Sequence, residues 1–292
     1  MNRKNRERLV GYTFIGPDIT GLIIFAIVPA IVALVISFFS WNGLSDMLFV
    51  GLDNYRTMFQ DPQWRNSIFV TLKYSVFFVP LNFVFALLLA MLVQKPGPGI
   101  GLFRAIFFAP TAMSMVAVSF VWKYMFQPYG FVNYFLSFFG ITRQPLLGSM
   151  SQALYSIAVV SLYMSVGYYM VIFLAGLNEI SNEYYEAAEI DGASGLQKFL
   201  YITLPLLKPT TAFVLVMTFL QSFQVFDQIY ILTGGGPFYS TSTAAFYIYY
   251  NAFQMYQFGY SSAQAFTLFA ILLVVSYFML RALRGGNVST GS

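Results

Sequence analysis

Cysteine and histidine are both absent from the 292 residues. Their absence removes disulfides, thiolate and imidazole metal sites, and the Ser-His-Asp and Cys-His forms of nucleophilic catalysis. Charge is almost as scarce: 9% of residues are charged, against 58% hydrophobic and 20% aromatic. Mean hydropathy is +0.69. A soluble domain of this size needs far more charge to cover its surface, so the composition is that of a polytopic protein whose main partner is a lipid bilayer. Net charge is only +4, with the bases dispersed along the chain, so no nucleic-acid partner is expected. A Walker-type phosphate loop needs Gly-Lys followed by Ser or Thr. None of the six lysines follows a glycine, so ATP chemistry and its Mg ion are not expected on this chain.

What is present is a series of apolar runs. A bilayer core of roughly 30 Å needs about 20 mostly apolar residues per helix. Six runs approach that length: Gly21–Ser40, Val70–Val93, Leu102–Met125, Leu154–Leu177, Thr210–Asp227 and Ala263–Leu283. The expected fold is all-α, a single domain over residues 1–292 with six transmembrane helices. The first run follows Arg3, Lys4, Arg6 and Arg8 but is too long for a signal peptide and lacks a cleavage site. Pro17-Asp18 is expected to break a short interfacial helix away from it. Pro96-Gly97-Pro98-Gly99 reads as a turn and Ser289–Ser292 as a frayed tail.

Lys and Arg orient the bundle. The N-terminus is basic, and Lys95 with Arg104, Lys198 with Lys208, and Arg281 with Arg284 follow on alternate connections. Arg56 and Arg65 on the other side are offset by Asp46, Asp53 and Asp61, and Arg143 stands alone there. Both termini are expected in the cytoplasm. Lys73 and Lys123, near outer ends, are expected to snorkel.

Five of the eleven acids lie between Glu179 and Asp191, in the predicted cytoplasmic loop 179–208. Ser181-Asn182-Glu183 offers N-caps, Ala187, Ala188 and Ile190 suit close packing, and Gly192 stops the helix or admits a close backbone. A second helix over Leu196–Tyr201 leads to Leu204-Pro205 and Pro209, which are expected to reset the chain direction. On these grounds alone a solvated amphipathic loop helix is the favoured reading of the segment.

The spacing Glu186-Ala187-Ala188, Asp191-Gly192, Ile202, Leu204-Pro205 resembles the cytoplasmic loop of the membrane subunits of ABC importers. Further segments resemble the sugar-type, maltose-importer-like branch: Phe49–Tyr55, Phe107–Pro110, Trp122–Phe126, Ser222–Asp227 and Leu232–Pro237. The resemblance implies a type I importer permease in a bacterial inner membrane. It also implies a second, homologous permease, two ATPase subunits that bind the ATP and Mg, and an extracytoplasmic solute-binding protein. In such a loop Glu186, Ala187, Ala188, Asp191, Gly192, Ile202, Leu204 and Pro205 would couple to the ATPase.

Polar groups within a bilayer are candidates for a pathway. Gln221, Gln224 and Asp227 recur at three-residue spacing, which places them on one helix face; counting from Thr210 puts the two amides in the outer half of the membrane, and Asp227 near outer water. Amides both donate to and accept from hydroxyls, and Tyr163, Tyr168 and Tyr169 add rings. Helix stitching, or an interfacial aromatic belt, is an equal reading for Gln221 and Gln224 and the favoured one for Tyr169. The expected solute is a sugar or oligosaccharide. A phosphorylated polyol such as glycerol 3-phosphate is the rival, although it would be expected to recruit Arg or Lys mid-span. A self-sufficient secondary transporter is a third reading, without the intramembrane acids or repeats such proteins show.

Overall fold

A computed structural model describes residues 3–284, with side chains from 12 to 281. The Ser289–Ser292 segment, and the side chains of Arg3, Lys4, Arg6, Arg8 and Arg284, lie outside the described residues. The helices in chain order are α1 (Arg3–Leu22), α2 (Val28–Ile36), α3 (Asp53–Gln60), α4 (Pro62–Leu92), α5 (Ile100–Phe108), α6 (Met115–Met125), α7 (Phe131–Ser137) and α8 (Ala153–Asn178). They continue as α9 (Asn182–Ile190), α10 (Gly195–Lys198), α11 (Leu204–Leu206), α12 (Lys208–Phe223), α13 (Asp227–Leu232), α14 (Ala244–Tyr249) and α15 (Phe258–Arg284). Two-residue strands, Phe39–Ser40 and Leu48–Phe49, pair antiparallel. Among the described residues four helical stretches are long and apolar enough to cross a membrane, or six if two bent pairs each count as one span.

The chain divides into two compact units. One holds the chain up to Asp61 with Ile248–Ala270; the other holds Pro62–Tyr247 and the chain from Ile271. In the first, the span over Tyr12–Ile36 has no buried residue. The helix runs straight through Pro17, so the expected break at Pro17-Asp18 is not there. The irregularity comes later, as a π turn over Ile23–Ile27 in which the Val28 N–H donates to the Ile23 carbonyl. Pro29 follows at once; it has no N–H for the Phe25 carbonyl, and its ring crowds that oxygen. A widened turn on its N-terminal side relieves both. Beyond α2, Asn54 donates to the carbonyls of Ser37 and Phe39 at 2.8 and 2.9 Å. Tyr260 donates to Asp61 at 2.6 Å.

In the second unit α4 packs along α8. Ala86, Leu87, Ala90, Val166, Met170, Phe173 and Leu177 form its core with Leu207 and Val214. Alanines on α4 let the two helices approach closely, as small residues do between membrane helices. α8 matches the expected fourth span to within a residue at each end. α4 starts eight residues before the expected second span, because Pro62 is pre-shaped for a first helical position and polar Gln63–Asn66 continue the helix beyond the apolar run.

Two expected spans prove discontinuous. Leu102–Met125 is α5, a 3-10 turn over Ala109–Ala112 and α6, with a 101° bend. Pro110 begins the interruption, since it cannot donate to the preceding turn. The fifth expected span, Thr210–Asp227, ends as a helix at Phe223, and Asp227 opens a separate helix.

Candidate functional site

Both interruptions face one cavity of about 660 Å3, entirely within the second unit. Non-helical backbone at membrane depth is tolerated only where it is buried in protein or lines a wet cavity. Here Met113 and Ser114 are extended, and Gln224 and Phe226 leave helical geometry. Met113 and residues 224–228 both line it, with Met164, Ser165, Tyr168 and Tyr169 from the middle of α8. The approach of α5 to α8 depends on Gly167. A Cβ there would stand 1.9 Å from the Phe107 carbonyl oxygen. Thr111 then donates to the Met164 carbonyl at 3.2 Å.

Gln221, Gln224 and Asp227 all line this cavity. They do so from three different geometries, the end of α12, its C-cap and the start of α13, and not from one continuous helix face. The reason is local: the chain turns at Gln224–Phe226, so three-residue spacing no longer measures angle about a single axis. The Tyr169 hydroxyl donates to Gln221 Oε1 at 3.2 Å, which leaves the Gln221 amide hydrogens to the cavity. Asp227 is exposed and lines the same cavity. Tyr163 instead packs its edge on Trp122, with centroids 5.6 Å apart.

Several lining residues escaped the sequence reading. Met113, Met115, Met164 and Met217 give the wall four flexible thioethers, which adapt to irregular shapes. Behind them runs a buried polar seam. Ser165 donates to Asn82 Oδ1 at 3.0 Å, Gln228 to Ser161 Oγ at 3.0 Å, and Asn82 to Thr218 at 3.4 Å. Ser75 and Ser222 share a 2.7 Å bond. The seam joins α4, α8, α12 and α13, and its signal was legible: Thr71 and Ser75, like Ser161 and Ser165, recur four apart on one helix face. Lys123 does not snorkel. It donates to the Ile231 carbonyl at 2.8 Å, near the end of α13, where a cation meets unpaired carbonyls. Lys73 lies over the Tyr155 ring, 5.4 Å from its centroid.

The predicted cytoplasmic loop is built from two capped helices. Ser181 accepts from the Glu183 N–H to start α9. At its end the Ala193 N–H reaches the Ala188 carbonyl and the Gly192 N–H reaches that of Glu189, with Gly192 at φ +75°. This is the glycine-dependent helix stop in which two orphan carbonyls are satisfied. Ser194 and Gln197 form a reciprocal capping box on α10.

The second helix is longer than expected, running through a π turn over Phe199–Thr203 into α11. Pro205 lies within that helical run and does not reset the chain direction. As at Pro29, a π turn ends two residues before the proline. The change of direction, 69°, comes at Leu207, before α12. Lys198 binds Glu189 at 2.6 Å, which holds the Glu189 carboxyl below its usual range. Tyr185 bonds Thr203 at 2.9 Å. These two contacts fix α9 against the following helix.

Glu186, Ala187, Asp191, Gly192 and Pro205 are left exposed, while Ala188, Ile202 and Leu204 are half-buried. Ile190, 88% exposed, and Tyr201, 77% exposed, present apolar surface on a helix pair that is otherwise pinned. A hollow of about 650 Å3 beside them is lined by Glu186, Glu189, Lys95 and Lys198. Among the described residues no cluster of three or more metal-ligating side chains occurs.

Residues 97–285 match the family described as binding-protein-dependent transport system inner membrane components. The trehalose/maltose transport system permease protein MalF of Thermococcus litoralis is 33% identical, over 94% of this chain and 92% of its own. The sn-glycerol-3-phosphate transport system permease protein UgpA of Agrobacterium fabrum is 34% identical, over 94% of each chain. Among solved structures, a bacterial ABC transporter involved in the import of the acidic polysaccharide alginate superposes with a TM-score of 0.85 at 25% identity. That match covers 98% of this chain and 99% of the other.

Proposed function

The chain belongs to the family of binding-protein-dependent transport system inner membrane components, and we propose that within it this chain lets a sugar or oligosaccharide cross the inner membrane. It carries no ATPase motif. ATP hydrolysis is assigned to two partner subunits that dock on α9 and the helix after it, beside a second permease and below an extracytoplasmic binding protein. The observation that carries this reading is the cavity where two interrupted helices meet, with amide and tyrosine groups on its wall. Its volume lies within the roughly 300–1,000 Å3 of small-molecule sites. Relatives named for glycerol 3-phosphate make a phosphorylated polyol the rival solute. No Arg or Lys is among the lining residues, which favours a neutral one.

Replacing Gln221 and Gln224 together with Leu removes two donor–acceptor groups from the wall and keeps its volume. Transport is expected to fall at least about tenfold, on the scale of one or two lost hydrogen bonds to a buried ligand, with ATPase recruitment unchanged. Uptake assays in liposomes beside co-purification test this, and wild-type uptake would reduce both residues to packing.

Orientation has its own test, because the chain offers no native thiol. A Ser181→Cys variant is expected to resist an impermeant maleimide in intact cells and to react once the membrane is opened. A Tyr129→Cys variant, between the third and fourth spans, is expected to react in intact cells. The reverse pattern would invert the topology and remove the loop from any cytoplasmic ATPase.

A further inference from the structure

The cavity carries one charge. Among its lining residues Asp227 alone is ionisable to an anion near neutrality, and no Arg or Lys faces it there. Its carboxylate is exposed to the cavity and forms no salt bridge or hydrogen bond among the described residues. Asp227 opens α13, where an acid suits the first turn, and Gln228 after it ties that turn to Ser161; neither gives the carboxylate a partner of its own. An uncompensated acid facing a membrane cavity calls for a ligand.

We infer that Asp227 is a specificity-determining residue, accepting paired hydroxyls of a neutral saccharide and turning away anionic solutes such as uronates and phosphate esters. The inference rests on the proposed function, since it takes the cavity to be the solute's path. Two carboxylate oxygens accept from two adjacent hydroxyls, and such charge-assisted bonds are stronger than neutral ones. Gln224, next to the same break, supplies the donors a ring or glycosidic oxygen needs. An anion placed in this cavity meets a like charge through a medium less screening than water and finds no base to offset it. Proteins of this fold are named both for an acidic polysaccharide and for maltose. Discrimination by charge must therefore come from individual side chains and not from the scaffold.

The test uses the permease–ATPase complex in detergent without the binding protein, so that the membrane part alone selects. Saturation-transfer NMR reads weak binding of a panel of neutral mono- to trisaccharides, each beside its uronate, and of glycerol beside glycerol 3-phosphate. Wild type is expected to favour neutral members by about tenfold or more, and Asp227→Asn to bring the two classes within about threefold. Asp227→Glu, which keeps the charge, is expected to keep the discrimination, so a merely structural role would not reproduce the pattern. If wild type binds neutral and anionic partners alike, or if Asp227→Asn leaves the ratio unchanged, Asp227 is no filter while the solute path stands. If no neutral member binds wild type, the cavity is not the solute's path, and the proposed function fails with the inference.

Discussion

Gly192→Tyr is expected to leave the chain inserted in the membrane and to abolish transport, with ATPase co-purification down at least about tenfold. Gly192 holds φ +75° at the helix stop, and a non-glycine residue in that region costs roughly 1–2 kcal/mol. Within this chain the space beside it is open, with no atom within 4 Å of an added Cβ. The strain alone is too small to dissolve a membrane bundle. Anything beyond it must arise from a surface that meets the exposed stop of α9. Gly192→Asn separates the two causes, because asparagine adopts the left-handed region readily and adds little bulk. It is expected to keep most of both transport and recruitment. Glu186→Lys probes the same face by charge. Glu186 is exposed and is expected to meet a basic group on the ATPase, so reversal places like charges together and weakens recruitment. Equal behaviour of the Tyr and Asn variants would show that no partner closes on this turn.

Gly167→Ala is the second large effect. An added Cβ would lie 1.9 Å from the Phe107 oxygen and 2.9 Å from the Phe108 Cα, all backbone atoms. A flexible side chain can swing aside; a helix end cannot. The Phe107–Met113 segment must therefore move by more than an ångström, at a cost of about 1–3 kcal/mol or more. That segment carries Thr111 and Met113, part of the cavity wall. Transport is expected to be lost even where the protein still accumulates, and a lowered thermal midpoint of the solubilised complex checks the packing argument. Gly176 gives a contrast within the same helix. There the nearest atoms to an added Cβ are side-chain atoms, the Thr210 hydroxyl at 2.4 Å and Leu207 Cδ2 and Thr210 Cβ at 3.1 Å, and no backbone atom is among them, so Gly176→Ala is expected to be milder.

Composition alone placed the chain in a membrane, because neither apolar coverage nor scarcity of charge depends on tertiary detail. α8 was legible to a residue, since its hydrophobic run has turn signals at both ends and no proline. The capped helices of the loop were legible for a related reason: Ser181 and Gly192 act on their own neighbours, so sequence distance and spatial distance coincide. The breaks were not legible. Ser114 and Gln224 are the single polar residues within 113–114 and 224–226, and a hydropathy reading sees only the run. Pro110 opens the first break, and the backbone contact at Gly167 sets how close that segment lies to α8; past the second break, Gln228 is tied to Ser161 of α8. Prolines misled in the opposite direction. Pro17 and Pro205 are accommodated within helices, and π turns before Pro29 and Pro205 absorb the missing N–H. The polar seam through Asn82, Ser165 and Gln228 joins residues far apart in sequence, so only the small-residue periodicity hinted at it.

On the proposed function, the cavity and the α9 helix pair are two ends of one device. A single cysteine at Gln224, in a chain with none of its own, reads both at once. In liposomes holding the full transporter, labelling of that cysteine by an impermeant maleimide from the binding-protein side is measured with and without trapped ATP. Slow labelling without nucleotide and faster labelling with it are expected, since closing the ATPase subunits should open the cavity outward. The Gly192→Tyr substitution in the same chain is expected to abolish that difference. A labelling rate indifferent to nucleotide in the otherwise unsubstituted chain would show that the cavity and the helix pair are not coupled.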